Sequence, residues 1–186
     1  MPFENEFRDA FLRAEPWDRY LERNAKAQEG FLQVYREIEP DPEIVDFFLG
    51  KGPLKALALG ETWCPDVTHH FPLFRKLEEQ VENLEVRFRS SDAEKALMEV
   101  LNPDKKNTIP TIVLLDPDFK EEGRIKGRKP MAKEYMLGRL AGRKNVDVPK
   151  EEVAVILKDF NTEFATRFIT ETYDEIRENL TKQCLI

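Results

Sequence analysis

The sequence has 186 residues, of which 41% are hydrophobic and 35% are charged, so it is apolar enough to fold and is not a disordered chain. Its 29 basic and 36 acidic side chains give a formal net charge of −7, which disfavours binding to nucleic acid or to anionic membranes. With two cysteines, no signal-peptide core and no stretch near the roughly 20 apolar residues of a membrane span, we expect a cytoplasmic protein.

The N-terminal part is polar, with apolar residues at helical spacing from Phe3 to about Glu39, which predicts two helices. The break between them falls at Pro16, which can open the second helix because a first-turn proline has no intrahelical hydrogen bond to lose. A third, short helix is predicted from Asp41 to Phe48. We group residues 1–52 as a helical N-terminal extension.

The central part alternates short apolar runs with helical patterns, as α/β domains do. Pro72 should kink the first of its helices, and Gly142 should end the last. Strands are predicted at residues 54–59, 84–88, 109–115 and 122–127, and helices at residues 64–83, 93–101 and 131–140.

One amphipathic helix, or a kinked pair of helices, is predicted from about Pro149 to Leu180. Its aromatic stripe needs a partner surface, and we expect the helix to pack on its own domain as a C-terminal extension, residues 142–186. A ligand site on that stripe, or a homodimer formed through the terminal helices, is the alternative.

The order of these elements resembles the thioredoxin fold, and four local motifs carry the likeness. Trp63-Cys64-Pro65-Asp66 stands where that family has its Trp-Cys-x-x redox loop, and Pro72 follows the cysteine by eight residues, where the family's helix is kinked. Ile109-Pro110-Thr111 is similar to its Ile-Pro-Thr turn, whose proline is cis and lies beside the active sulfur. Gly127 matches the glycine of its last hairpin strand.

The resemblance covers about residues 53–141, which it marks as the thioredoxin-like domain. It implies a three-layer α/β/α fold with a central mixed sheet, to which this chain adds N- and C-terminal helices. More closely, the chain resembles an uncharacterised bacterial thioredoxin-like family with the motif Glu-x-Trp-Cys-x-Asp-Val, here Glu61 to Val67, and with helical extensions at both ends.

Two departures from the family pattern lie at the chemistry. In a dithiol oxidoreductase the second cysteine of Cys-x-x-Cys attacks the mixed disulfide and frees the substrate, and here that position is Val67. The buried aspartate that assists proton transfer in many thioredoxins, six residues before the first cysteine, is Ala58 here. Ordinary dithiol turnover is therefore not expected.

Cys64 remains as a candidate nucleophile. A thiol at a helix N-terminus lies near the positive end of the helix dipole, so we expect its thiolate to be favoured, as at sites with a pKa of roughly 3.5 to 7.5. The chain is predicted to be a monothiol thiol-disulfide oxidoreductase with no tightly bound cofactor. Its substrate would be a disulfide-containing protein or a small thiol, and an outside protein thiol or low-molecular-weight thiol would resolve the adduct. A redox-inactive binding or adaptor protein is the alternative.

We expect the substrate to be seated by residues on both sides of the sulfur, with Trp63 and Pro110 as an apolar lip and the Ile109 backbone pairing with an extended peptide. The same side chains could equally serve as packing and turn. Asp66 is expected mainly to favour the helix start, although it would raise the thiol pKa if close to the sulfur. The predicted substrate-binding set is Trp63, Pro65, Asp66, Ile109, Pro110 and Thr111.

Three further titratable residues follow or precede the cysteine. Glu61 is either a solvated loop carboxylate or a proton shuttle in place of the missing aspartate. His69 and His70 do not have the spacing of a recognised metal-ligand set, so we predict no metal site. Each is either a solvated or core-edge histidine or an imidazolium that helps to hold the thiolate.

Two remaining features have open roles. Cys184 is either a plain terminal cysteine or a resolving thiol for Cys64, within the chain or between subunits. Arg128-Lys129-Pro130 is either a solvated turn or a positive flank that would suit an anionic thiol such as glutathione.

Overall fold

The computed structural model describes residues 3–104, 108–141, 143 and 147–182. Its strands form one sheet, in which the first strand is parallel to the second and antiparallel to the third, and the fourth is antiparallel to the third. The mixed sheet, with helices on both faces, confirms the predicted α/β class. The strands are β1 (Leu54–Gly60), β2 (Leu84–Ser90), β3 (Thr111–Leu115) and β4 (Glu121–Lys126), in the spatial order β2-β1-β3-β4.

The helices of the described residues surround this sheet. A 3-10 turn, Ser91–Glu94, precedes α6, and a π-helical segment, Phe164–Phe168, joins α8 to α9. None of the described helices is both long and apolar enough to cross a membrane. In chain order they are α1 (Glu4–Arg13), α2 (Trp17–Arg23), α3 (Gln28–Glu37), α4 (Pro42–Leu49), α5 (Pro65–Gln80), α6 (Lys95–Leu101), α7 (Pro130–Leu140), α8 (Lys150–Glu163) and α9 (Ile169–Lys182).

The N-terminal part contains one more helix than the sequence predicted. The break at Pro16 is confirmed, because α2 begins at the next residue. A second break follows Arg23, where the Asn24 side-chain amide donates to the Tyr20 carbonyl at 2.8 Å, since a short amide side chain competes for helical backbone groups. The helix predicted at Asp41 is confirmed, with the aspartate carboxylate accepting from the Glu43 N–H at 2.8 Å.

The two faces of β1 carry side chains of different size, and this difference determines which helices pack on each face of the sheet. Leu57 and Leu59 point into a cluster with α1 and α6, whereas Ala56 and Ala58 belong to the larger cluster on the opposite face. The small alanines leave room there for rings from α2, α3, α5 and β2. The aromatic residues in mutual contact on that face are Trp17, Tyr20, Phe31, Phe71 and Phe88.

The N-terminal helices lie against both faces of the sheet and also cover one of its edges. Between α1 and α2, the Glu15 backbone pairs with Phe88 of β2, with N–O distances of 2.9 and 2.8 Å. This pairing satisfies backbone groups of an edge strand that would otherwise be open to association. The boundary predicted at residue 52 remains a prediction.

The C-terminal helices pack on the domain, as expected for the aromatic stripe. The Asn179 side chain donates to the Arg124 carbonyl of β4 at 2.8 Å, and a Cβ at Gly123 would lie 2.8 Å from the Asn179 Cβ, so this close approach requires glycine. Leu180 lies at the end of the sheet where β1 starts, with its carbonyl accepting from Lys51 Nζ at 3.2 Å. Helix α7 ends at Ala141 in a left-handed conformation, and the predicted stop at Gly142 lies outside the described residues.

Candidate functional site

Cys64 stands at the junction of β1 and α5. It is the N-cap residue of α5, with extended backbone angles, and Pro65 takes the first helical position, where the missing N–H costs nothing. The strand can turn this tightly into the helix because Gly60 has no side chain: a Cβ there would lie 2.5 Å from Val67 Cγ2. The Cys64 side chain is only 7% exposed.

The start of β3 is held beside the sulfur. The Ile109–Pro110 peptide bond is cis, as the resemblance implied, and the Pro110 carbonyl accepts from the Gly127 N–H at 2.7 Å. Gly127 has φ +54°, and a Cβ there would meet Thr108 Cγ2 at 2.5 Å, so this turn needs glycine. The Cys64 Sγ consequently lies 3.9 Å from the Ile109 carbonyl oxygen.

A groove of about 300 Å³ that is lined by apolar residues opens beside Trp63 and Pro65, the two residues that flank Cys64 in the chain. Trp63 is 75% exposed at one side of it, and its other walls come from α7 and from α8 of the C-terminal extension. Ion pairs Arg139–Asp159 and Arg143–Glu152 connect the end of α7 to α8. The residues lining the groove are Trp63, Pro65, Met136, Leu140, Val153, Ile156 and Leu157.

Asp66 is paired with Arg128 instead of capping the helix. No side chain caps the start of α5, and the Asp66 carboxylate accepts from Arg128 Nε at 3.0 and 2.9 Å, with Nη2 at 2.9 Å. Asp66 Oδ2 also lies 4.0 Å from Cys64 Sγ. Asp66 is thus an acidic residue in the first turn of α5 that makes no capping hydrogen bond and is bound by a guanidinium from the segment after β4.

Burial raises the pKa of the Cys64 thiol above its ordinary value, and the nearby Asp66 carboxylate acts in the same direction. The backbone N–H groups of Val67 and Asp66, together with Arg128, lower the pKa, but by less than burial and Asp66 together raise it. The expectation that the helix start favours the thiolate is thus corrected. The dipole and amide contributions are present, and desolvation outweighs them.

His69 and His70 are both buried at 1% exposure, on the side of α5 that faces the C-terminal helices. Their Nδ1 atoms donate to the carbonyls of Pro65 and Asp66 at 2.6 and 2.7 Å, and the Thr172 hydroxyl donates to His70 Nε2 at 3.2 Å. Burial lowers the pKa of both imidazoles, that of His70 to about 4. Both are therefore neutral at pH 7, so the alternative of an imidazolium that holds the thiolate is wrong.

Two charged groups expected near the sulfur are engaged elsewhere. Glu61 Oε1 accepts from the hydroxyls of Ser90 and Ser91, both at 2.8 Å, and so ties the loop before α5 to the end of β2. Lys129 is 5% exposed and forms an ion pair with Glu175 of α9. In the alternative that made residues 128–130 a positive flank, the two cations are neutralised by partners, because Arg128 is likewise bound to a carboxylate.

The predicted substrate-binding residues divide by exposure. Trp63 is exposed, and Pro65 and Ile109 are half-buried, so these three can meet a substrate directly. Pro110 is buried, and Thr111 is fully buried with its hydroxyl donating to the Thr108 carbonyl at 2.7 Å. The structure thus gathers the predicted residues at one end of the sheet, while their individual roles remain predictions.

Sequence reasoning missed two parts of this site. The partnership of Arg128 with Asp66 crosses 62 positions, and no local pattern signals it, although both residues were singled out. The groove walls on α7 and α8 were also missed, although Val153 and Ile156 belong to the apolar stripe of the tail. Cys184, the other candidate thiol, lies outside the described residues.

Comparison with known proteins bears on the family and the fold. A family model for thioredoxin matches residues 14–146. A crystal structure of a protein of unknown function from Pseudomonas aeruginosa is 18% identical, with a TM-score of 0.61 over 80% of this chain and 93% of that one. A crystal structure of an HIV epitope-scaffold is 19% identical, with a TM-score of 0.63 over 92% of this chain and 97% of that one. At these identities both show a shared fold, and no curated protein matches the sequence.

Proposed function

The chain belongs to the thioredoxin family, and on that premise we propose that it is a monothiol thiol-disulfide oxidoreductase with Cys64 as its nucleophile. One observation carries the proposal: the sulfur sits at the start of α5, 3.9 Å from the carbonyl of Ile109 in the cis Ile109–Pro110 turn, with the exposed Trp63 beside it. This arrangement offers a nucleophile, a backbone edge for an extended peptide and an apolar contact in one place.

The exchange proceeds in two balanced steps. The Cys64 thiolate attacks one sulfur of a disulfide R–S–S–R′, a Cys64–S–S–R bond forms, and R′–S⁻ leaves and takes a proton from water. Val67 occupies the position of a resolving cysteine and is fully buried, so a thiol from outside the site must complete the reaction. The thiolate of R″–SH attacks the substrate sulfur, R–S–S–R″ forms, and Cys64 leaves as thiolate and is reprotonated.

The groove favours a polypeptide disulfide as the substrate. Its seven lining residues are all apolar, and its volume of about 300 Å³ is at the small end of ligand pockets, suited to one or two apolar side chains. The basic residues considered as a positive flank, Arg128 and Lys129, are bound to Asp66 and Glu175 and so offer little to a highly charged small thiol. A low-molecular-weight thiol then serves as the resolving reagent, which a cytoplasmic location would supply in reduced form.

A second candidate function is a binding or adaptor protein without redox turnover. It is favoured by one observation, the raised pKa of the buried Cys64 thiol, which keeps most of the sulfur protonated at neutral pH. In that case Trp63 and the groove would hold a peptide without any covalent step. The two candidates share the site and differ in the role of one sulfur atom.

Trapping the adduct separates the candidates. In a Cys184→Ser background, the protein is incubated with a peptide disulfide in which a phenylalanine flanks the cysteine, and products are read by intact mass. We expect one peptide to add to the protein and to be released by glutathione, and Cys64→Ser to remove the adduct while leaving peptide binding intact. No adduct at any pH up to 9, together with equal peptide affinity in both proteins, would establish the binding function instead.

A further inference from the structure

Arg128 is placed beside the candidate nucleophile by the chain reversal at the end of β4. It follows Gly127, whose positive φ turns the backbone, and its guanidinium carbon lies 5.5 Å from the centre of the Phe160 ring. On its other side it contacts Asp66 through Nε and Nη2. The Arg128 side chain is 28% exposed and that of Asp66 only 7%, so the pair lies at the edge of the protein interior.

The geometry links this ion pair to the sulfur through a single oxygen atom. Asp66 Oδ2 is the carboxylate oxygen 4.0 Å from Cys64 Sγ, and the same oxygen is 2.9 Å from both Nε and Nη2 of Arg128. A carboxylate at that distance opposes a thiolate, and a guanidinium bound to the same oxygen offsets its charge. The pair therefore acts on Cys64 as two opposed charges in direct contact.

Other groups near Cys64 in the described part of the chain are uncharged. From β3 the neighbour is the Ile109 carbonyl, and in the second turn of α5 the two histidines are neutral. Among the described residues, Asp66 and Arg128 are the charged groups with the largest effect on the protonation of Cys64. Burial aside, the state of the thiol thus depends on how completely Arg128 compensates the charge of Asp66.

We infer that Arg128 is a positioning residue for Cys64: by binding the carboxylate oxygen nearest the sulfur, it offsets part of the charge of Asp66 and so reduces the repulsion that opposes thiolate formation. The inference rests on the proposed function for its catalytic meaning, since the thiolate is both the attacking species and the group released at resolution.

The test is a double-mutant cycle that removes the charges of Asp66 and Arg128 singly and together, in the Cys184→Ser protein. The pKa of Cys64 is measured from the pH dependence of thiolate absorbance and of the rate of alkylation by iodoacetamide, a neutral reagent. Asp66→Asn leaves Arg128 uncompensated, so the pKa of Cys64 should fall by about one unit. Arg128→Gln leaves Asp66 uncompensated, so the pKa of Cys64 should rise by about one unit. The double variant should return close to the starting value, and Arg128→Lys, which keeps the charge without the planar fork, should shift it less than Arg128→Gln.

A matched control is Arg124→Gln on β4. Arg124 forms an ion pair with Glu121, and its side chain is 25% exposed, close to the 28% of Arg128. No contact joins either residue of this control pair to Cys64. Its loss should leave the Cys64 titration unchanged. At pH 7 we expect Asp66→Asn to be alkylated about threefold faster, because a tenfold larger thiolate fraction is partly offset by weaker nucleophilicity.

The outcomes are distinct from those of the adduct experiment. Opposite shifts in the two single variants with recovery in the double variant support the inference, even if no peptide adduct forms and the protein proves to be a binding module. Shifts of the same sign, or no shift in any variant whose circular dichroism and urea midpoint show it to be folded, would overturn it even if Cys64 exchanges disulfides.

Discussion

The first two turns of α5 place titratable groups in two different settings. Cys64 and Asp66 lie at the open end, beside the exposed Trp63 and a guanidinium from β4. His69 and His70, one turn later, are sealed beneath the C-terminal helices, with the Phe164 ring centre 4.5 and 5.1 Å from their ring centres. The helix therefore runs from a charged, accessible end into a closed, neutral interior.

The comparison shows that one physical cause governs both turns. Burial favours the uncharged form of each group, so it raises the pKa of the Cys64 thiol and lowers the pKa of both imidazoles. At the first turn, amide N–H groups and Arg128 oppose that effect, and these are the contacts that a mutation or a ligand can alter. At the second turn, stability depends on keeping the site closed.

The largest expected effect is at the closed turn. Phe164 is 1% exposed and packs on both histidines, so Phe164→Ala should leave a cavity and lower the free energy of unfolding by about 3 to 5 kcal/mol. Urea denaturation followed by tryptophan fluorescence measures it. Val155→Ala, at a 55% exposed position on α8, is the control and should change the free energy by less than about 0.5 kcal/mol. Equal losses in the two variants would show that the turn is not closed as described.

Acid should open the same turn. The folded pKa of His70 is about 4 against an ordinary value near 6.5, so between these values the unfolded chain binds more protons and stability falls as the pH falls. The contribution of His70 is about 3 kcal/mol, complete above about pH 6.5 and lost by about pH 4. Urea midpoints over this range measure it. His70→Gln should flatten the slope, and an unchanged slope would contradict a buried neutral His70.

At the first turn of α5, the pH dependence of stability that comes from Cys64 has the opposite sign to that from His70, and we expect it to be smaller. Because the folded pKa of the Cys64 thiol lies above its unfolded value, the folded state binds more protons in between, and stability should fall as the pH rises through that window. Thiolate absorbance in the Cys184→Ser protein should titrate at higher pH when folded than in urea. A folded thiol that titrates lower than the unfolded one would restore the expectation made from the helix start alone.

The smallest effect on stability is expected at Trp63, at the side of the groove. Trp63 is 75% exposed, so Trp63→Ala should change the free energy of unfolding by less than about 0.5 kcal/mol. It should nevertheless weaken binding of the phenylalanine-flanked peptide several-fold, because it removes one side of the groove. Isothermal titration compares it with Leu12→Ala, a control at a 70% exposed residue on α1 that should bind normally. Equal affinity in both variants would exclude Trp63 from the binding surface.

Local patterns were sufficient for most of the elements and for the site's position. The Trp63-Cys64 motif, the Ile109-Pro110 turn and Gly127 are short local matches to the thioredoxin family, and it was this resemblance that implied a cis proline beside the sulfur. The additional break at Asn24 was missed because a side-chain amide at a helix end resembles many polar residues that continue a helix. The spacing of apolar residues alone does not distinguish a polar residue that ends a helix from one that continues it.

The sequence by itself determined the fold class, the absence of a second cysteine at position 67, and the apolar tail, because these follow from residue types at fixed short spacing. The tertiary structure alone decided the protonation of the Cys64 sulfur and the roles of its neighbours. Arg128 reaches Asp66 from 62 positions away, and the tail seals the histidines from about a hundred positions away. Charge and desolvation act through distance in space, and that distance is set only when the chain has folded.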